Sequence, residues 1–207
     1  MLSYHVDTNT ILVEPFQSRQ DRHRIASYDR IMTRLKKCGH TVNLQILDNE
    51  ASQAYKQTIQ DTLVCTLQLV PLHVHQCNIA KRSIHTFKDH FLVILSVISD
   101  SLPKYLWNHL LLYTELTLNL LRQSTLAPEM SAWEHLHVPF NFDTTPLGLI
   151  GCPVVIHTKP GIRKTWDFRG RSRFNIGSAL KHYRCFYDVD GATKALLFYD
   201  NVEFLNK

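Results

Sequence analysis

Asp48 closes Val42-Asn43-Leu44-Gln45-Ile46-Leu47, an apolar, β-prone run, so a carboxylate is presented at the carboxyl end of a buried strand. Carboxylate oxygens are the hard ligands that magnesium or manganese require. Two-metal catalysis holds ions roughly 3.5 to 4 Å apart, so a single carboxylate does not suffice for it. Further acids are sparse. Glu50 is accounted for as an acid in the first turn of a helix, favoured by the helix dipole, and Asp7 falls in a turn between two strand patterns. The helical pattern opening near Asn78 carries Lys81 in its first turns, and no acid occurs from Ile79 through Lys88. Asp89 lies about two helical turns past Lys81, roughly 12 Å at the helical rise, too far to share a metal. A lysine near Asp48 supplies fixed positive charge, and an Asp48–Lys81 ion pair is then expected to stabilise the metal-free fold.

Other chemistries are less well supported. His73-x-His75-x-Cys77 offers imidazole and thiolate ligands for zinc, but no fourth ligand is evident. His85 and His90 lack the intervening glutamate of a helical metalloprotease motif and read as a solvated or DNA-facing edge. Five cysteines, at 38, 65, 77, 152 and 185, are odd in number, form no Cys-x-x-Cys pair and have no nucleophile context. They fit a reducing compartment. A phosphate-binding Gly-x-x-x-x-Gly-Lys loop is absent.

The elements that must position Asp48 and Lys81 are legible in order. Leu2–Val6 and Thr10–Phe16 read as a hairpin around Asp7-Thr8-Asn9. Ile25, Tyr28, Ile31, Met32 and Leu35 recur at helical spacing between Ser18, a candidate N-cap, and Gly39, a C-terminal stop. After the strand that ends before Asp48 come a helix over 51–62, a strand over 66–70 and a helix over 78–98. A further helix over 103–121 has an apolar face of Leu106, Leu110, Tyr113, Leu116, Leu120 and Leu121. The order β-β-α-β-α-β-α-α predicts an α/β core, a mixed sheet flanked by helices. Pro128, Pro139 and Pro146 break the periodicity between 122 and 149, leaving a connector with one short helix at 131–136.

A second composition follows. Five short strand-like runs, at 154–157, 173–176, 183–187, 194–198 and 202–204, interleave with glycines and predict a small β-barrel. From Gly151 to Arg184 the cations Lys159, Arg163, Lys164, Arg169, Arg171, Arg173, Lys181 and Arg184 face a single acid, Asp167. Trp166, Phe168, Phe174 and Tyr183 are interleaved among them. Cations neutralise phosphates and aromatics stack bases, so nucleic-acid contact is expected, against the alternative of a solvated rim with the aromatics in the core. The chain has 207 residues, 44% hydrophobic content and a net charge of +5, enough for one sizeable core and a small second one, with a surplus suited to a polyanion. The longest apolar stretch, 91–98, is too short to span a bilayer, and the first residues lack a signal-peptide pattern. A nuclear or cytoplasmic protein that is neither secreted nor membrane-bound is expected.

The segment Pro71 to Lys88, about thirty residues beyond Asp48, resembles the integrase catalytic core of retrotransposon polyproteins. The segment from Gly151-Cys152-Pro153-Val154 through Arg173-Phe174-Asn175-Ile176-Gly177, His182-Tyr183-Arg184-Cys185 and Asp200-Asn201-Val202-Glu203-Phe204 resembles the SH3-like domain that follows that core in copia-type polyproteins. The resemblance implies an RNase H-like core over 1–122 without its first strand, a connector over 123–149 and an SH3-like β-barrel over 150–207. It also implies metal-dependent DNA strand transfer using magnesium or manganese. In it Asp48 matches the second of three catalytic carboxylates and Lys81 stands where the last glutamate belongs, while the first aspartate would precede Met1. The expectation is therefore an integrase-like protein inactive in this chain, holding metal weakly or not at all at Asp48 and binding DNA weakly, with homo-oligomers open to it. A non-enzymatic protein–protein interaction module, or a relic, using the sheet edge left by the missing strand is the competing expectation.

Overall fold

The turn expected at Asp7-Thr8-Asn9 forms at residues 6–9, joining β1 (Leu2–His5) to β2 (Thr10–Val13) with Leu2 opposite Val13 and His5 opposite Thr10. Asn9 adopts φ 57°, a left-handed conformation that its short polar side chain tolerates, and its Oδ1 accepts from the Tyr4 hydroxyl at 2.9 Å. The computed structural model describes residues 1–48, 51–62, 66–71, 79–158, 161, 163–189 and 196–205, with the backbone alone of Asp48 and Thr62. Two units divide the chain, one of Met1–Asp89 with Glu115–Val138, the other of His90–Thr114 with Pro139–Lys207.

In the first unit α1 (Asp21–Lys37) buries Tyr28, Ile31, Met32 and Leu35, the residues its periodicity nominates. The N-cap lies two residues later than the Ser18 reading. The Ser18 hydroxyl meets His23 Nδ1 at 2.7 Å, and Gln20, whose side chain makes no cap, takes the N-cap position. At the other end Gly39, φ +84°, donates to the Lys36 carbonyl at 3.0 Å while His40 donates to Leu35 at 3.0 Å. These two bonds form a Schellman stop, which favours glycine because of its positive φ.

Next come β3 (Leu44–Asp48), α2 (Gln53–Thr62) and β4 (Thr66–Val70). The two strands run parallel, with Leu44 opposite Thr66 and Asp48 opposite Val70. Leu12, Tyr28, Ile31, Met32, Leu35, Tyr55, Ile59 and Leu136 form the core, with Leu47 and Leu67 packed against it. Three helices follow in the chain, α3 (Ile79–Val97), α4 (Trp107–Leu121) and α5 (Ala132–Leu136). The short helix is capped by Ser131 and Glu134 in reciprocal hydrogen bonds, 3.1 and 3.2 Å. Of the apolar face expected on α4, Leu121 is 75% exposed because the helix ends there.

The expected mixed sheet is two separate pairs, β1 with β2 and β3 with β4. The outer edge of β2 is closed by side chains instead of by a strand. Asn119 on α4 accepts from the Ile11 amide at 3.0 Å and donates to the Ile11 carbonyl at 2.8 Å. One turn earlier, Glu115 accepts from the Val13 amide at 2.6 Å and from Arg34 of α1 through both guanidinium nitrogens, the Oε2 contact being 3.2 Å. Burial pushes the Glu115 carboxyl up, while the Arg34 charge and hydrogen bond and the Val13 amide pull it back. Near the same hairpin three imidazoles line up, His5 against His40 with ring centroids 5.2 Å apart and His40 against His135 at 6.1 Å. The His135 ring meets the buried Ser124 hydroxyl at 2.5 Å, and His137 packs on Trp133 and lies 3.3 Å from the Cys38 thiol.

In the second unit β5 (Pro153–His157) pairs antiparallel with β6 (Gly170–Phe174), and β10 (Val202–Phe204) lies on its other side. A second sheet has the order β7 (Gly177–Ser178), β8 (Phe186–Val189), β9 (Leu196–Tyr199). Among the described residues these are two three-stranded sheets with no closed barrel. The strand expected at 173–176 breaks at Asn175. Its backbone turns to Cys152 and Gly151 at 3.0 and 2.7 Å, its Nδ2 donates to the Leu149 carbonyl at 2.8 Å, and Gly177 follows at φ +123°. The run expected at 183–187 begins at Phe186, because Arg184 adopts φ 52° and donates its amide to Thr144 at 2.8 Å. Leu106, Ile176 and Val189 make one small core, and Ile94, Leu110 and Ile150 another.

Asn119→Ala leaves a buried amide and carbonyl of Ile11 unpartnered and should lower unfolding stability by about 2 kcal/mol in urea titration. Glu115→Ala strands the Arg34 charge and the Val13 amide and should cost about 3 kcal/mol or more. The His5 imidazole lies below its ordinary value of 6.5 through burial and then the His40 charge, with Asp7 opposing, and His137 is lowered by burial, Arg34 and His40. With folded-state values below the unfolded 6.5, the stabilisation is full above pH 6.5 and is lost as pH falls through the folded values. Melting temperature should therefore drop between neutral pH and about pH 5, and His40→Gln should make that drop shallower.

Candidate functional site

Asp48 is the last residue of β3, opposite Val70, and so stands at the carboxyl end of a parallel strand pair where a ligand-binding carboxylate belongs. Its side chain lies outside the described residues, as do Glu50, His73, His75 and Cys77, so the ion pair expected with Lys81 and the zinc reading both fall there. Lys81 is the third residue of α3 and is exposed. Around it the helix turns Ser83 and Phe87 inward and Arg82, His85 and Lys88 outward, so the first turns of α3 present cations. The carboxylate of Asp89 sits two turns on, 3.1 Å from His85 Nδ1, with both side chains exposed. Asp7 is an exposed turn residue, as expected, and its carbonyl accepts from Leu126 at 3.1 Å.

From Ile79 through Lys88 α3 carries an ammonium and a guanidinium at Lys81 and Arg82 and no carboxylate, so this stretch offers no carboxylate ligand to a two-metal centre. Among the described residues no group of three or more His, Cys, Asp or Glu side chains is placed to hold a metal ion. Burial pushes the thiols of Cys38, Cys152 and Cys185 up, away from the reactive thiolate.

The basic residues of the second unit divide by position. Arg163, Lys164 and Arg169 lie in the loop between β5 and β6, Arg171 and Arg173 on β6, and Lys181 and Arg184 in the loop between β7 and β8. Lys159 is outside the described residues. Arg173 Nε lies 3.1 Å from the carboxylate of Asp188, which is 3% exposed, so this guanidinium is held inside the unit. Lys164, Arg169, Arg171, Lys181 and Arg184 are exposed and Arg163 is half-buried. Of the interleaved aromatics only Phe174 packs on a core, while Trp166, Phe168 and Tyr183 are 97%, 91% and 69% exposed.

Two groups of residues escaped the sequence reading. Glu115 and Asn119 are spaced i, i+4 within a largely apolar helix, and that polar pair was the available signal. The exposure of Trp166 and Phe168 had a weaker signal, the loss of strand alternation between Lys159 and Arg169. The concavity lined by Val154, Ile156, Asn175 and Tyr199 encloses no space for a water-sized ligand.

No helix among the described residues is long and apolar enough to cross a membrane. No family model matches the chain, and no curated protein does. Solved structures do. A chain in the cryo-EM structure of the simian T-cell lymphotropic virus intasome in complex with PP2A regulatory subunit B56 gamma aligns with a TM-score of 0.52 and 13% identity, covering 100% of this chain and 72% of that one. The crystal structure of the catalytic core domain of BIV integrase aligns with a TM-score of 0.47 and 11% identity, covering 64% and 81%. At such identities the likeness is one of architecture, and the architecture of this chain is integrase-like.

Proposed function

We propose that this chain is an integrase-like protein of the copia retrotransposon type that has lost metal-dependent strand transfer and retains binding to nucleic acid. In this reading residues 1–122 are an RNase H-like core, 123–149 a connector and 150–207 an SH3-like unit that carries the DNA contacts. One observation carries the loss of activity. Lys81 stands exposed in the first turns of α3, on a stretch with no acid before Asp89, in a chain of integrase-like fold. An ammonium cannot ligate magnesium, and its charge opposes the ion electrostatically. Asp48 alone supplies too few oxygens for either metal of a pair.

Retention of binding is supported by the cations of the second unit. Arg163, Lys164, Arg169, Arg171, Lys181 and Arg184 lie in loops or on an outer strand, and the single acid between Gly151 and Arg184 is Asp167. The competing reading is a non-enzymatic interaction module or relic using the sheet edge left by the missing strand.

The purified chain should neither cut nor join DNA ends in magnesium or manganese, and product formation in a strand-transfer assay would overturn the inactive reading. Lys81→Glu should leave the 207-residue chain inactive in the same assay, because one restored carboxylate does not complete a triad. Binding to duplex DNA should weaken with salt. A log–log slope of roughly −4 to −6 is expected if the six described cations meet phosphates. Binding without salt dependence, or none at low salt, would remove the proposal.

A further inference from the structure

Between β5 and β6 the chain forms a hairpin loop whose tip is built and not merely left over. Thr158 donates its amide to the Arg169 carbonyl at 2.9 Å at the base of the loop. At the tip the Asp167 amide donates to the Lys164 carbonyl at 3.1 Å, and the Lys164 amide donates back to the Asp167 carboxylate at 2.9 Å. This reciprocal pair closes a turn around Thr165 and Trp166 and turns the loop's only acid onto the backbone. Trp166 and Phe168 then stand 97% and 91% exposed, with Arg163, Lys164, Arg169 and Arg171 beside them in the chain. Two large rings left in water forgo the burial that normally stabilises them, which marks them as contact groups for something else.

We infer that this tip is a stacking platform for unpaired nucleobases, with Trp166 and Phe168 taking base faces and the neighbouring cations, three arginines and one lysine, taking phosphates. The inference rests on the nucleic-acid reading above and adds the form of nucleic acid. Three features favour it. Arginine forks suit phosphate oxygens. The rings stand almost wholly in solvent, as a platform for flat faces requires. The segment 163–169 contains no aliphatic residue to enter a bilayer and carries Asp167 between the rings. Within a duplex each base face is already covered by its neighbour, so exposed rings gain contact chiefly where bases are unstacked, at single strands, gaps or frayed ends.

The test uses the full chain and fluorescence anisotropy at one fixed salt concentration, with labelled oligothymidylate about 16 nucleotides long and a blunt duplex of equal length. The wild type should bind the single strand more tightly than the duplex and show tryptophan quenching only with the single strand. Trp166→Ala with Phe168→Ala should lose about tenfold or more on the single strand, retain duplex affinity within about twofold, and keep the same salt slope. Circular dichroism should be unchanged, since neither ring is in a core. Equal loss on both forms, or no loss on either, overturns stacking while leaving electrostatic binding intact. No binding of either DNA by the wild type overturns both readings together. Ring-dependent binding to phosphatidylserine vesicles without a single-strand preference would replace the platform with a membrane contact.

Discussion

A strand at the edge of a sheet carries backbone amides and carbonyls that need partners, and in the first unit β2 finds them on a helix. Asn119 matches both polar groups of Ile11, and Glu115 takes the Val13 amide one helical turn away, so two side chains at i, i+4 do the work of a neighbouring strand. Fixing β2 fixes the hairpin, because His5 to Leu2 pair with Thr10 to Val13. The hairpin turn is held in turn by Arg122, which donates to the Asn9 carbonyl at 3.0 Å, and by Asn9 Nδ2, which reaches the Gln123 carbonyl at 2.7 Å. Glu115 would be costly to bury alone. Arg34 of α1 makes its burial tolerable and ties that helix to the same edge.

The strands of the first unit form two separate pairs. Side chains satisfy the outer edge of β2, and both pairs rest on the shared apolar cluster around Ile31, Leu35 and Ile59. Asp48 is carried at the end of β3 and Lys81 near the start of α3, elements held by backbone pairing and burial. An integrase-like architecture and an integrase-like active site are separable for this reason. Burial and backbone pairing maintain the first, and a few side chains at element ends make the second.

In the second unit, chemistry that looks uniform in composition is divided by position. Arg173 is spent on Asp188, a buried carboxylate that needs a counter-charge, while Arg169 and Arg171 nearby face solvent. Phe174 fills a core and Phe168, six residues earlier, does not. The same residue types thus serve packing in one place and a surface in another.

Much of the first unit was legible from periodicity. The hairpin, the buried face of α1, the Gly39 stop and the strand at 66–70 follow from local stereochemistry and apolar spacing, which act over a few residues. Ser18 and Leu121 were misread because a cap and a helix end depend on which hydroxyl or contact is nearest in space. In the second unit Asn175 divides one expected strand between two sheets through bonds to residues about 25 positions away, Leu149 among them, a distance no periodicity reports. For the candidate site, Asp48, Lys81 and the lack of acid from Ile79 through Lys88 are properties of the chain itself, since charge and ligand type belong to the side chain wherever it is placed. Which cations are committed, which aromatics are buried and what closes the edge of β2 were decided by tertiary structure alone, because those are pairings between groups distant in sequence and near in space.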